Sequence, residues 1–225
     1  MPGVSDELLK NPIFYGSIPT DLHKACVQLK VPEVKKYLAE GLDFKLADNL
    51  KQDALIYTVR SCVEDEKDCE DVYEITKMLI EAGAEVNVKD KYGDAALILA
   101  CQGSCNRGFT SFSKHKTVQL LLDSGADVFQ HCDNFKSTGL HWSAVVGDIA
   151  TAKILVAAGA RKNKINRLRR TPLEEARHQL KRYEENLDGL GRQYEGEEKE
   201  KMVPSAIKRL KAFVAYMEGL PGIKL

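Results

Sequence analysis

Three residues within eight positions are of the types that form a nucleophilic triad: His141, Ser143 and Asp148. In such a triad an acid orients a histidine, and the histidine activates the serine. Residues two positions apart in a helix point to different sides, so Ser143 does not face His141 if this segment is helical. Asp148 follows a turn at Gly147. The spacing therefore predicts structural roles for these residues, and we expect no catalytic residue and no enzyme.

A second group of residues combines cysteines with histidines. Cys101 and Cys105 are separated by three residues, and His115, His131 and Cys132 follow. Zinc binds such ligands in tetrahedral sets. The sequence lacks the second closely spaced pair that is typical of zinc ribbons, and Cys101 falls where a thiol would serve as a small buried apolar group. We expect no metal and no cofactor, with zinc binding or a small catalytic protein as the alternative.

The composition is that of an ordinary soluble protein. Among 225 residues, 33 are basic and 33 are acidic, and 44% are hydrophobic, which excludes disordered and collagen-like chains. Zero net charge removes the overall field that attracts proteins to nucleic acids or anionic membranes. The start, MPGVSDELLKNPIF, lacks a signal-peptide core, and we expect no membrane insertion. We therefore expect a cytoplasmic location, with nuclear entry left open, and free thiols at all six cysteines, Cys26, Cys62, Cys69, Cys101, Cys105 and Cys132.

Two sets of residues recur along the chain and define a repeat. They are a leucine after a short polar or small lead-in and a glycine that closes an apolar run: Leu22, Leu55, Leu97, Leu140 and Leu173; Gly41, Gly83, Gly125 and Gly159. Each glycine precedes the next leucine by 14, 14, 15 and 14 residues, whereas successive leucines are 33, 42, 43 and 33 residues apart. The unit is therefore 33 residues long, with an insert of nine residues in the second and third units.

Each unit is predicted to form two helices. Thr138 and Pro172 are typical of helix starts, because threonine accepts a backbone N–H there and proline lacks a donor that would have no partner. A second amphipathic stretch begins at Ile149 and ends at Gly159, a residue suited to the left-handed conformation after a helix. One unit cannot bury its own apolar face, so neighbouring units must stack.

The pattern resembles the ankyrin repeat. Asp90-Lys-Tyr-Gly93 before Leu97, followed by Leu120-Leu-Leu-Asp-Ser-Gly125, matches one family repeat, and Thr138-Gly-Leu-His141 matches another. The resemblance implies an all-α solenoid of helix-turn-helix units with β-hairpin-like connecting loops and a helical C-terminal cap. It predicts a single domain over 1–225, with an N-terminal extension at 1–14 and repeats at 15–47, 48–89, 90–132, 133–165 and 166–225.

The resemblance also implies roles for single residues. His23 and His141 occupy the position whose ring ties a hairpin to the start of a helix. Gly93 has no glycine counterpart in the other hairpins, which carry Lys51, Lys136 and Arg169 instead. Since a positive φ favours glycine, we expect looser hairpins at those three places.

The C-terminal region carries two apolar stripes at helical spacing: Leu180, Tyr183, Leu187 and Leu190; Ile207, Leu210, Val214 and Met217. They predict an antiparallel helix pair that caps the stack, joined by an exposed segment over 188–201. A stripe left open to a partner helix is the alternative.

The two inserts carry opposite charges. Seven acidic residues and one lysine lie between Ser61 and Glu74, and the neighbouring insert carries Arg107, Lys114, His115 and Lys116. Stacking places these charges side by side. The inserts are either solvated loops or prolonged helices, or they form a wall that bounds a partner site.

A basic connector, residues 161–170, holds six positive residues in ten. It is either a solvated loop or a contact for an acidic or phosphorylated partner, and nucleic acid is a weaker alternative because the segment has no interleaved aromatic residues.

The resemblance implies that partners bind at hairpin tips and at the exposed ends of the first helices. The matching positions are Asn49, Leu50, Gln52, Arg60, Lys91, Tyr92, Asp94, Gln102, Asn134, Phe135, Ser137, Val145, Val146, Arg167, Leu168 and Arg170. Tyr92 and Phe135 are the strongest candidates, because aromatic residues are typical of interface hot spots. We therefore expect a monomeric, non-enzymatic protein–protein interaction module, a scaffold or inhibitor, whose concave face binds a partner protein and no small-molecule substrate.

Overall fold

The structure, a computed structural model, describes residues 20–103, 112–185 and 197–222. Its helices are α1 (Asp21–Val27), α2 (Val31–Ala39), α3 (Ala54–Arg60), α4 (Glu66–Glu81), α5 (Ala96–Cys101), α6 (His115–Asp123), α7 (Gly139–Val146), α8 (Ile149–Ala157), α9 (Pro172–Glu185) and α10 (Glu197–Glu218). Within these ranges there is no strand, and two isolated bridges, Lys89 with Ala95 and His131 with Thr138, mark the hairpin-like loops. The all-α solenoid predicted from the sequence is confirmed.

The helices pack in two layers. The first helices of successive units, α1, α3, α5, α7 and α9, contact one another in order, and so do the second helices α2, α4, α6 and α8. One helix pair falls within each predicted repeat range. The core between the layers contains large aliphatic side chains together with Ala100, Ala144 and Ala152, whose small size lets the helices approach closely.

Local sequence explains where the helices begin and end. Asp53, Asp65 and Asp148 cap α3, α4 and α8, with carboxylate Oδ1 atoms accepting a backbone N–H at 2.8–3.0 Å. At the other end, the chain leaves α8 through Gly159 at φ 91°, and the Ala160 N–H bonds to the Leu155 carbonyl at 2.9 Å. The predicted helix-ending role of the repeated glycine is thus confirmed.

The first insert is a prolonged helix rather than a loop. Helix α4 has 16 residues, and its first turn contains the acidic residues Glu66 and Asp68. Acidic side chains at this end are stabilised by the helix dipole. Part of the second insert, residues 104–111 with Cys105 and Arg107, lies outside the described residues. Opposite charges of the two inserts do lie side by side, because Lys116 forms an ion pair with Glu70.

Lys114, a basic residue of the second insert, is buried in the stack instead of pairing with the acidic insert. Lys114 is 2% exposed, and its ammonium donates to the Val59 and Ser61 carbonyls at 2.7 Å each. Burial lowers its pKa to about 8. Lys114 therefore holds the third unit against the end of α3 instead of forming a surface ion pair.

The C-terminal helices form the predicted cap. Ion pairs join Arg177 to Glu218 at 2.6 Å and Glu184 to Lys211 at 2.9 Å, so α9 and α10 are antiparallel. Helix α10 also contacts α7 and α8. Buried stripe residues include Tyr183, Leu210 and Met217, with Leu180, Ile207 and Val214 half-buried; Leu187 and Leu190 lie outside the described residues.

The cysteines differ in part from the expectation of six free thiols. Cys26, Cys69, Cys101 and Cys132 are free. Cys62 is disulfide-bonded, so the expectation is wrong at that position. Burial raises the pKa of Cys26 to about 12 and raises that of Cys101 as well, which keeps both as neutral apolar groups.

Candidate protein-binding surface on the hairpin tips

Four hairpins, residues 48–52, 90–94, 132–137 and 166–170, connect the units. In three of them the first residue closes the turn: Asp48, Asp90 or Asn166 accepts two backbone N–H groups through one side-chain oxygen at 2.8–3.1 Å. These Asx turns stabilise the loop conformation through hydrogen bonds within each hairpin.

The last residue but one of each hairpin adopts a positive φ whether or not it is glycine. The values are 58° at Lys51, 77° at Gly93, 52° at Lys136 and 58° at Arg169. The hairpins of Lys51 and Arg169 close with the same backbone hydrogen bond as that of Gly93, at 3.1 and 3.0 Å against 2.9 Å. The expectation of looser hairpins is therefore wrong there, because the Asx hydrogen bonds offset the cost of the left-handed conformation, about 1–2 kcal/mol.

Gly93 also lies close to the next hairpin. The third hairpin is one residue longer, as its connector of 15 residues indicates, and its closing hydrogen bond runs from Cys132 N to Ser137 O at 3.0 Å. Asp133, the second residue of this hairpin, lies against the preceding hairpin. A Cβ atom at Gly93 would lie 2.2 Å from Asp133 Oδ2, so a side chain would displace the contact between hairpins.

Backbone hydrogen bonds join the tips of successive hairpins. Lys91 N donates to Leu50 O at 2.8 Å, Asp133 N to Tyr92 O at 3.1 Å and Arg167 N to Phe135 O at 2.7 Å. The tips of the four hairpins thus form one continuous edge, called the tip edge below. Equivalent side chains recur along it from unit to unit. This edge is ordered before any partner binds, which reduces the entropy cost of association.

The two histidines hold this edge to the helices, as the resemblance implies. His141 Nε2 donates to the Arg170 carbonyl at 3.0 Å, and its Nδ1 accepts the Thr138 N–H at 3.2 Å. His23 Nε2 donates instead to the Leu46 carbonyl at 2.8 Å, two residues before the first hairpin. Burial lowers the pKa of both rings, which keeps them neutral.

The predicted contact residues fall into three groups. Exposed are Asn49, Lys91, Asn134, Phe135, Arg167 and Leu168; half-buried are Arg60, Tyr92, Asp94, Gln102, Val145, Val146 and Arg170; buried are Leu50, Gln52 and Ser137. The last group corrects the prediction, since these side chains do not reach the surface. Gln52 and Ser137 directly precede a helix cap, and the following hairpin covers this position: Asn166 Nδ2 lies 3.5 Å from Ser137 Oγ.

Two predicted contact arginines instead stabilise neighbouring parts of the stack. Arg60 Nη2 donates to Asp90 Oδ2 at 2.5 Å, and the Asp90 side chain is 0% exposed. Arg170 pairs with the buried carboxylate of Glu175 at 3.5 Å. Because its charge is paired with Glu175, Arg170 is less suited than a free arginine to attract an acidic partner. Positive charge at the tip of the last hairpin comes from the exposed Arg167 and Arg169.

The basic connector is partly engaged in structural contacts. Arg161 stacks over the Phe129 ring at 5.1 Å, and Lys162 Nζ donates to the Pro221 carbonyl at 2.5 Å. Asn163 donates to the Gly222 carbonyl at 3.0 Å. The first half of the connector therefore binds the C-terminal end of the cap, and only its second half lies on the tip edge.

The structure does not assemble the three residues considered as a triad. Ser143 Oγ donates to the Gly139 carbonyl at 3.0 Å, and Asp148 caps α8 and accepts from Thr151 Oγ1 at 2.7 Å. Within the described ranges no three His, Cys, Asp or Glu residues are placed to hold a metal ion. Trp142 is half-buried against the core, so its apolar surface contributes mainly to packing.

The fold and the hairpin geometry agree with comparisons to known sequences. The family model for ankyrin repeats, in three copies, matches residues 66–166. The matched part of the chain, residues 66–166, consists of ankyrin repeats. The chain is 25% identical over 154 residues to neurogenic locus notch homolog protein 1 of Xenopus tropicalis and 26% identical over 154 residues to that of Mus musculus.

These matches cover 68% of this chain and 5% of each relative, so the chain spans about a twentieth of the length of the curated relatives that it matches. Ankyrin repeats are generally non-enzymatic protein–protein interaction modules. In the described part of this chain, no helix combines the length and apolar character needed to cross a bilayer.

Proposed function

We propose that this protein binds an acidic segment of a partner protein on the tip edge, centred on Phe135 and Leu168. These residues occupy equivalent positions on adjacent hairpins and are 46% and 51% exposed. Large apolar side chains on neighbouring tips are suited to desolvation by a partner. This pair of exposed tips is the observation that supports the proposal most directly.

The charge around the pair supports an acidic partner. Arg167 lies next to Leu168 in sequence and donates to the Asn134 carbonyl at 3.0 Å, which links the two hairpins. Arg169 is exposed at the turn, whereas Lys136, at the matching turn position on the preceding hairpin, pairs with Asp133 at 3.2 Å. Positive groups beside an apolar centre raise the rate of association with an acidic surface.

The experiment compares partner recovery by proximity labelling for the wild type and the Phe135→Ala/Leu168→Ala double variant, followed by affinity measurement with the recovered partner in purified form. We expect at least a tenfold loss of affinity, because truncation of a central apolar residue typically costs more than 1 kcal/mol. Undiminished affinity would refute the proposed surface.

Phe129 provides a matched control. It is a phenylalanine of similar exposure, 51%, but it lies before the hairpin and contacts Arg161. Phe129→Ala should leave affinity within about twofold of the wild type. An equal loss in both variants would indicate a general effect on the stack rather than a contact at the tips.

A further inference from the structure

The additions to the basic repeat surround one cavity of about 600 Å³. Its walls come from the first turn of α4, the end of the second insert, the first turn of α6, the turn between α7 and α8, and the cap helix α10. His141 does not line it, and Val146 is the only predicted partner-binding residue among those that do. A volume of this size fits a small ligand or a large side chain.

One end of the cavity is formed by a helix start that has no cap. The N-cap position of α6 is Lys114, which makes no side-chain hydrogen bond to the helix, and the first turn contains no acidic residue. Backbone N–H groups in a first turn have no partner within the helix, and together with the helix dipole they favour an anion.

Two polar atoms at this end also have no partner. Thr117 is 0% exposed, lines the cavity and has no hydrogen-bond partner for its Oγ1. His115 Nδ1 is likewise buried without a partner. Buried hydroxyl groups are normally satisfied, so the unpaired Thr117 hydroxyl in the wall of the cavity indicates a missing hydrogen-bond partner.

The charges of the lining favour an anion over a cation. Glu70 is paired with Lys116, and Asp148 accepts hydrogen bonds from Ser113 and Thr151. Glu66 is exposed at the start of α4. Lys208 of α10 lines the cavity, is exposed and forms no ion pair in the described part of the chain.

We propose that this cavity binds a phosphate group attached to an apolar body. A phosphate has three terminal oxygens, and the donors available along the lining are Lys208, the α6 start and Thr117. The apolar part is accommodated by Phe112, Val146 and Ile149, which also line the cavity. The phosphate is carried either by a free small molecule or by a phosphorylated side chain of a partner.

The first experiment titrates the full chain, labelled with ¹⁵N, with phenyl phosphate and with inorganic phosphate, and measures affinities by calorimetry. We expect amide shifts at His115 and Thr117 and at least tenfold tighter binding of phenyl phosphate, because only that probe has an apolar body. Absence of shifts at these amides with 10 mM of either probe would overturn the proposal.

Variants then assign the binding to this cavity. Lys208→Glu should weaken phenyl phosphate at least tenfold. Thr117→Val should weaken it at least fivefold without lowering the thermal midpoint of the ligand-free protein, because the hydroxyl has no partner in the fold. The control is Lys211→Glu, on the same helix but outside the cavity and paired with Glu184. An equal loss of affinity in the control would refute a local site.

Two further measurements distinguish the possible carriers of the phosphate group, and distinguish the cavity proposal from the tip-edge proposal. A phosphotyrosine tripeptide that binds at least tenfold tighter than phenyl phosphate identifies a partner segment as the source, and equal affinities identify a small molecule. Phe135→Ala/Leu168→Ala should leave phenyl phosphate binding unchanged, so failure at the tip edge and failure at the cavity are distinguishable.

Discussion

The guanidinium of Arg60, the last residue of α3, donates to the buried carboxylate of Asp90, which begins the hairpin of the next unit. The same carboxylate accepts the Tyr92 and Asp94 N–H groups at 2.8 and 2.9 Å through its other oxygen. One side chain therefore closes a hairpin and joins it to the preceding unit. Such a contact couples the folding of neighbouring repeats.

Arg60→Ala should lower the free energy of unfolding by about 3 kcal/mol, because it leaves the Asp90 charge buried and unpaired. Arg177→Ala is the matched control, since its pair with Glu218 is between side chains that are 43% and 36% exposed. That change should cost less than about 1 kcal/mol. Urea unfolding followed by circular dichroism measures both, and similar losses would contradict the interface role of Arg60.

Asp94 gives the same region a pH dependence. Burial, with the nearby charge of Asp90, raises its pKa from 3.8 to about 6. Its ionisation is therefore less favourable in the folded state, and its contribution to stability falls as the pH rises from about 4 to about 6.

The substitution Asp94→Asn removes the titrating carboxyl group, and with it the loss of stability as the pH rises. The variant should match the wild type in stability near pH 4 and exceed it by about 1–2 kcal/mol at pH 7, measured by urea unfolding at several pH values. The buried histidines are the same in both proteins and cancel in the difference. A difference that does not change with pH would show that Asp94 titrates normally in the folded protein.

The repeat and its helices could be predicted from the sequence because the spacing of leucine and glycine depends on local helix geometry. The pairing of Arg60 with Asp90 could not be predicted in this way. The type of this residue and its place at the end of a first helix are equally consistent with a free surface charge, and its pairing depends on how closely the next hairpin approaches. Thr117 and Lys208 are separated by 91 positions, so only the packing of the cap helix reveals that both line one cavity.

Gly139 also reflects close packing between units. A Cβ atom at this position would lie 2.9 Å from Cys101 Sγ and 3.4 Å from a Leu155 methyl group. Gly139→Ala should destabilise the protein by about 1–3 kcal/mol, although alanine is otherwise favoured over glycine in a helix. Thermal or urea unfolding measures the loss.

Cys101→Ala removes the sulfur that the new methyl group would meet. In the double variant the two costs should be less than additive, with a coupling of about 1 kcal/mol. Strict additivity would mean that the backbone at Gly139, rather than contact with Cys101, limits the substitution.

The charge on the tip edge can be tested separately from its apolar centre. Arg167→Glu with Arg169→Glu should slow association with the partner about tenfold at 20 mM salt and about twofold or less at 500 mM, because screening removes long-range attraction. Arg170 is left unchanged, because its loss would leave the buried carboxylate of Glu175 without its ion-pair partner.

The control is the double variant Lys35→Glu/Lys77→Glu. It changes the net charge by the same amount, at exposed positions of α2 and α4. Stopped-flow association rates measure the effect, and equal slowing by the control pair would show that the net charge of the protein, rather than the tip edge, attracts the partner.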